Sequence, residues 1–206
     1  MQLLAAGAPL ARARAAAVLV HGRGASAQDI LSLGAEFDQE DIAYLAPQAE
    51  NHAWYPYSFL APLAQNEPHL SRALATLGAT LERLAKEGFA PERVALIGFS
   101  QGGCLALEYA ARNAKRYGAI AGLSAGLIGP PGTPRDYAGA FAATPVFLGC
   151  SDVDSHVPLA RVHETRDVLG RMGAGVTERI YPGMPHTINA DEIAAVGKLL
   201  AGINAV

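Results

Sequence analysis

Ser100 stands in Gly98-Phe99-Ser100-Gln101-Gly102, a G-x-S-x-G pentapeptide. Before it runs Val94-Ala95-Leu96-Ile97, which reads as a buried strand. After it, Cys104 to Ala111 is good helix-forming sequence. A serine on a glycine-flanked turn between strand and helix holds its hydroxyl clear of the backbone, at the carboxyl edge of a sheet. A hydroxyl is a weak nucleophile until a base takes its proton, and that base works only when a third group orients it. The chemistry to look for is therefore nucleophilic acyl transfer, with a base and an acid placed downstream.

Three histidines follow Ser100: His156, His163 and His186. His163 falls inside a helical stretch and reads as a surface residue. His156 follows the acid-bearing loop too closely to turn back onto its acid. His186 closes Tyr181-Pro182-Gly183-Met184-Pro185-His186, a loop after the last strand, on the same sheet edge as the serine turn. The acid should leave the strand ending at Cys150, where Ser151-Asp152-Val153-Asp154-Ser155-His156-Val157-Pro158 offers two aspartates. Asp154 is the better placed, since Pro158 behind it suits the first turn of a following helix. Asp152 reads as a turn residue or a solvated one. Asp152, Asp154 and His156 lack the spacing of a cation loop, so no metal is expected.

An oxyanion formed in acyl transfer needs preorganised donors. The amide of Gln101 is one. The second should come from a loop after an early strand, and His21-Gly22-Arg23-Gly24 has that place. The Arg23 amide is the expected donor, His21 a packed residue that shapes the loop. The Arg23 side chain is then free to meet an anionic substrate group at the pocket mouth.

These residues must be carried by alternating elements. Strands are expected over 16–20, 42–46, 94–97, 117–124, 145–150 and 176–181, with one edge strand within Met1 to Ala13. Helices are expected over 26–37, 68–87, 159–172 and 190–200, besides the one after Ser100. Ser26 is a candidate cap with Asp29 three residues on. Strands alternating with helices imply a mostly parallel sheet flanked on both faces by helices. Residues 48–66 break the rhythm: Trp54, Tyr55, Tyr57 and Phe59 lie among prolines in a stretch too long for a connector. Two readings of this lid or pocket loop stand open: the aromatics wall an acyl pocket, or they fold back onto the core as a packed flap. The whole of 1–206 reads as one domain without a separate cap.

The chain has 206 residues, net charge −3 and 50% hydrophobic residues, which excludes a basic nucleic-acid surface and suits a packed core. Two cysteines, Cys104 and Cys150, make no disulfide framework. Arg12 and Arg14 interrupt any leader-like run, and no apolar run is long enough to span a membrane. A soluble cytoplasmic protein is expected, with no stable membrane insertion and a homodimer left open.

Taken together, His21-Gly22-x-Gly24, Gly98-Phe99-Ser100-Gln101-Gly102-Gly103, Asp154-x-x-Val157-Pro158 and Gly183-Met184-Pro185-His186 resemble the small carboxylesterase, phospholipase and acyl-protein thioesterase family of α/β-hydrolases. The resemblance implies a single-domain α/β-hydrolase fold and serine-dependent hydrolysis of carboxylic esters or thioesters, with no cofactor. It implies Ser100, Asp154 and His186 as the triad and the amides of Arg23 and Gln101 as the oxyanion hole. With no cap domain the pocket should favour short acyl chains. Lysophospholipid or thioester hydrolysis is the alternative within enzymes. A non-catalytic binder on the same fold is the alternative outside them.

Overall fold

Ala15–Val20 is six consecutive apolar residues, and all six are buried. Such a run fits only a strand covered on both faces, which is the environment of a parallel sheet between helix layers. The computed structural model describes residues 2–203; Met1 and residues 204–206 lie outside them. The strands are β1 (Leu3–Gly7), β2 (Ala15–Val20), β3 (Ile42–Pro47), β4 (Val94–Phe99), β5 (Ala119–Leu123), β6 (Pro145–Ser151) and β7 (Gly175–Tyr181). They form one 7-stranded sheet in the order β1-β3-β2-β4-β5-β6-β7. All neighbours are parallel except β1, which runs antiparallel to β3 with Leu3 opposite Pro47. Pro47, expected to close β3 from outside, is its last residue.

The helices are α1 (Ala27–Glu36), α2 (Leu63–Asn66), α3 (His69–Lys86), α4 (Gln101–Arg112), α5 (Leu159–Arg171) and α6 (Ala190–Ala201). α1 and α6 cover one face of the sheet, packing Ile30, Leu31, Val196 and Leu200 with Leu19 and Ile97. α3, α4 and α5 cover the other, packing Leu70, Leu77, Leu105 and Val162 with Val18, Leu96 and Leu148. The sheet is thus the middle of three layers, as the alternation of elements requires. Ser26 caps α1 in a reciprocal box with Asp29, and Asn189 caps α6 in the same way with Glu192. A cap of this kind contributes about 1 kcal/mol.

β4 lies at the centre of the sheet, so the turn after Phe99 opens at the middle of its carboxyl edge. The loops after β2, β6 and β7 reach the same edge. No helix among the described residues is long and apolar enough to cross a membrane.

Candidate active site

The turn between β4 and α4 is strained at one residue. Ser100 has φ 54° and ψ −124°, a conformation that side-chain-bearing residues rarely adopt. Its neighbours make it possible. A Cβ at Gly102 would come within 2.2 Å of the Val20 carbonyl, and one at Gly98 within 2.5 Å of the Gly102 carbonyl. The glycines of the pentapeptide therefore let α4 start directly against β2 and β4. The Ser100 amide donates to the Leu123 carbonyl at 2.9 Å, and the Ser100 carbonyl accepts from the Cys104 amide at 2.9 Å. With its backbone held at both ends, the strained residue keeps its hydroxyl aimed outward.

His186 Nε2 lies 2.9 Å from Ser100 Oγ, and His186 Nδ1 lies 2.7 Å from Asp154 Oδ2. A carboxylate only accepts, so Nδ1 carries the ring proton and Nε2 is left to accept from the serine. Asp154 has no side-chain exposure, and His186 keeps 17%. Burial pushes the Asp154 carboxyl up. The hydrogen bond from His186 and those from the His156 and Val157 amides outweigh it, and the group is held below the ordinary carboxylate range. An anion is thus fixed behind the imidazole, where it would stabilise a positive charge on the ring.

Asp152, the other aspartate of the loop, does different work. Its Oδ1 accepts from the Gly183 amide at 2.8 Å, joining the loop after β6 to the loop that carries His186. The His186 ring is also clasped. Phe99 lies tilted against it at 5.0 Å between centroids, and His156 meets it edge-on at 4.7 Å. Neither contact was foreseen from sequence. The signal available was the spacing in Asp154-Ser155-His156: the turn whose amides hold Asp154 also has to bring His156 to the mouth of the site.

The turn Gly22-Arg23-Gly24 lies beside Ser100. The Gly24 amide donates to the His52 carbonyl at 2.8 Å and the Ala25 amide to the Gly22 carbonyl at 3.3 Å. Among the described residues no acceptor takes the Arg23 amide or the Gln101 amide. His21 is fully buried beneath this turn. Its Nε2 accepts from the Ala49 amide at 3.1 Å, so Nδ1 donates to the Gly22 carbonyl at 2.8 Å. Burial lowers its pKa, which keeps the ring neutral and suited to that pattern.

A cavity of about 420 Å³ opens at Ser100, walled by Tyr55, Tyr57, Phe59, Phe99 and Val157 with Cys104 below. Burial pushes the Cys104 thiol up to about 12, so it faces the cavity as a neutral group. Tyr57 is 56% exposed at the mouth, while Tyr55 and Phe59 are buried against the core. Two expectations need correction. Trp54 does not line the cavity: its indole N–H donates to the His21 carbonyl at 2.8 Å and its ring packs on His21, which turns it inward. The Arg23 side chain, exposed at the edge of the cavity, does not stand loose at the mouth but is held by the chain itself. Its guanidinium donates to the carbonyls of Tyr55, Pro56 and Tyr57 at 2.9, 2.9 and 2.7 Å.

This is a hydroxyl, an imidazole and a carboxylate in hydrogen-bonded series, beside two untaken amides and an apolar cavity. Such an arrangement can activate the hydroxyl and receive an oxyanion. Comparison with known proteins gives a consistent picture. The family described as Phospholipase/Carboxylesterase matches residues 4–204. A phospholipase/carboxylesterase from Dyadobacter fermentans is 44% identical, with a TM-score of 0.94 over 97% of this chain and 96% of that one. The esterase PE8 is 27% identical, with a TM-score of 0.83 over 99% of this chain and 100% of that one. Acyl-protein thioesterase 1 of Gibberella zeae is 33% identical over 118 residues, 55% of this chain and 49% of that protein. In that match the chain spans about half the length of its relative. With nearly its whole length covered by the family match, this chain belongs to the phospholipase/carboxylesterase family of α/β-hydrolases.

Proposed function

We propose that this chain is a serine hydrolase that cleaves carboxylic esters of short acyl chains through an acyl-enzyme. The observation that carries the reading is the pair of hydrogen bonds on His186, 2.9 Å to Ser100 Oγ and 2.7 Å to Asp154 Oδ2. In this reading Ser100 Oγ attacks the ester carbonyl while His186 Nε2 takes its proton. Asp154 stabilises the imidazolium, and the amides of Arg23 and Gln101 receive the oxyanion. His186 then returns the proton to the departing alcohol, and a water repeats the sequence to release the acid. Residues 48–66 act as the pocket wall, with Tyr55, Tyr57 and Phe59 as its surface. A cavity of about 420 Å³ supports short acyl groups over long ones.

Thioesters are a second substrate class for the same machinery, favoured by the similarity to the acyl-protein thioesterase of Gibberella zeae. The test is labelling by a fluorophosphonate together with turnover of p-nitrophenyl esters and acyl thioesters of graded length. Ser100→Ala should keep the fold, lose the label and lose about 10⁴-fold or more in activity. Labelling that survives in Ser100→Ala would remove the assignment, and an optimum at long acyl chains would remove the short-chain reading.

A further inference from the structure

In the esterase reading, the backbone amides of Arg23 and Gln101 receive the oxyanion. Their side chains both turn away from it, onto one segment. The Arg23 guanidinium holds the carbonyls of Tyr55, Pro56 and Tyr57. The Gln101 side chain accepts from the Trp54 amide at 2.9 Å and donates to the Tyr55 carbonyl at 2.8 Å. Further ties run between the same parts. The Trp54 indole reaches the His21 carbonyl, the Gly24 amide reaches the His52 carbonyl, and His52 Nδ1 lies 2.9 Å from the Ala25 carbonyl. On its outer side the segment is held by Asn66, which accepts from the Tyr57 amide and donates to the Ser58 carbonyl.

These bonds leave the segment little freedom to move alone. Charge-assisted donation to three successive carbonyls fixes both the position and the tilt of their peptide planes. Tyr55 and Tyr57 then present their rings to the cavity from those same planes. The turn carrying the Arg23 amide and the wall touching the acyl group are thereby cross-braced.

Resting on the esterase reading above, we propose that the Arg23 side chain is a positioning residue: it makes the acyl-pocket wall and the oxyanion hole one rigid piece. An acyl group that fits the wall leaves the hole in register, and one that strains the wall shifts it. Acyl-chain discrimination therefore appears in kcat, because register matters most where negative charge develops on the carbonyl oxygen. Removing the guanidinium uncouples the two, and discrimination moves into KM.

The experiment compares wild type, Arg23→Met and Arg23→Lys on p-nitrophenyl esters from acetate to octanoate. Each is also titrated with a trifluoromethyl ketone, which forms a tetrahedral oxyanion on the serine. Arg23→Met should lose about 10- to 100-fold in kcat on the best ester, the scale of a misplaced donor rather than a deleted one. Its affinity for the ketone should weaken by a similar factor while KM on that ester stays within about twofold. Arg23→Lys, able to reach one carbonyl of the three, should recover part of the loss. If Arg23→Met keeps both kcat and ketone affinity within about twofold of wild type, or loses only KM, the proposal is overturned. Should Arg23→Met not fold, Arg23→Gln takes its place, since it removes the charge and the three-carbonyl reach while keeping a polar side chain, and the same criteria apply. Fluorophosphonate labelling separates the two levels. An unlabelled wild type defeats the esterase reading, whereas a labelled wild type with an unaltered Arg23→Met defeats this proposal alone.

Discussion

A buried carboxylate stays charged only where donors replace the water it has lost, and Asp154 has the His186 ring and two backbone amides in that role. The arrangement gives Asp154 and Asp152 opposite sensitivities to the same change. Asp154→Asn puts an amide N–H or a neutral oxygen where an anion faced Nδ1, and the imidazole can settle in the tautomer with its proton on Nε2. That nitrogen can no longer accept from Ser100, so kcat should fall by roughly 10⁴, the scale of the equivalent change in a serine protease. Asp152→Asn keeps an oxygen for the Gly183 amide and should cost little activity. Turnover of p-nitrophenyl acetate by the two variants checks both outcomes, and exchanged phenotypes would transfer the acid role to Asp152.

At the scale of elements, α6 carries a second buried acid. Glu192 is fully buried at the first turn of α6, where its Oε2 accepts from the Asn189 amide while Oε1 lies against Gly149 of β6 without a partner. Burial pushes its carboxyl up to about 7, against the opposing hydrogen bond from Asn189. Its proton is therefore held more tightly in the folded chain than in the unfolded one. That stability is fully present below the ordinary glutamate value of 4.5 and is lost as pH rises toward about 7. Melting temperatures of wild type and Glu192→Gln between about pH 5 and pH 7.5 should show the variant gaining on the wild type as pH rises. Parallel curves would place the carboxyl's titration outside that window.

Elements were also the scale at which the chain was most legible. The apolar runs of β2, β4 and β6 are too short for buried helices and end at turn residues, which marks them as buried strands, and the Ser26 and Asp29 pair marks the start of α1 from four residues. The order of Ser100, Asp154 and His186 could be read because each follows a strand that ends on the same edge. What escaped reading depends on neighbours far apart in sequence. Nothing local in Trp54 says that its indole will find the His21 carbonyl and turn from the cavity. Nothing in His-Gly-Arg-Gly says that the guanidinium meets three carbonyls more than thirty residues on. An arginine in a glycine turn looks free until the aromatic segment folds over it.

On the whole-molecule scale, the three-layer scaffold and the site make different demands on sequence. The sheet and its helices tolerate apolar exchange of similar volume. The turn at the centre of the edge does not, since Ser100 holds a left-handed conformation there for the sake of its hydroxyl. A residue with a Cβ in such a conformation costs about 1–3 kcal/mol, and glycine avoids that cost while giving back about 1 kcal/mol in the unfolded chain. Ser100→Gly should therefore be inert toward esters and yet melt about 2–4 °C above wild type, as calorimetry would show. A melting point at or below wild type would mean that the surrounding bonds have relaxed the strain. Descent then has a direction at this position. On the esterase reading, a lineage released from the need to hydrolyse would grow hardier by drifting toward glycine at position 100.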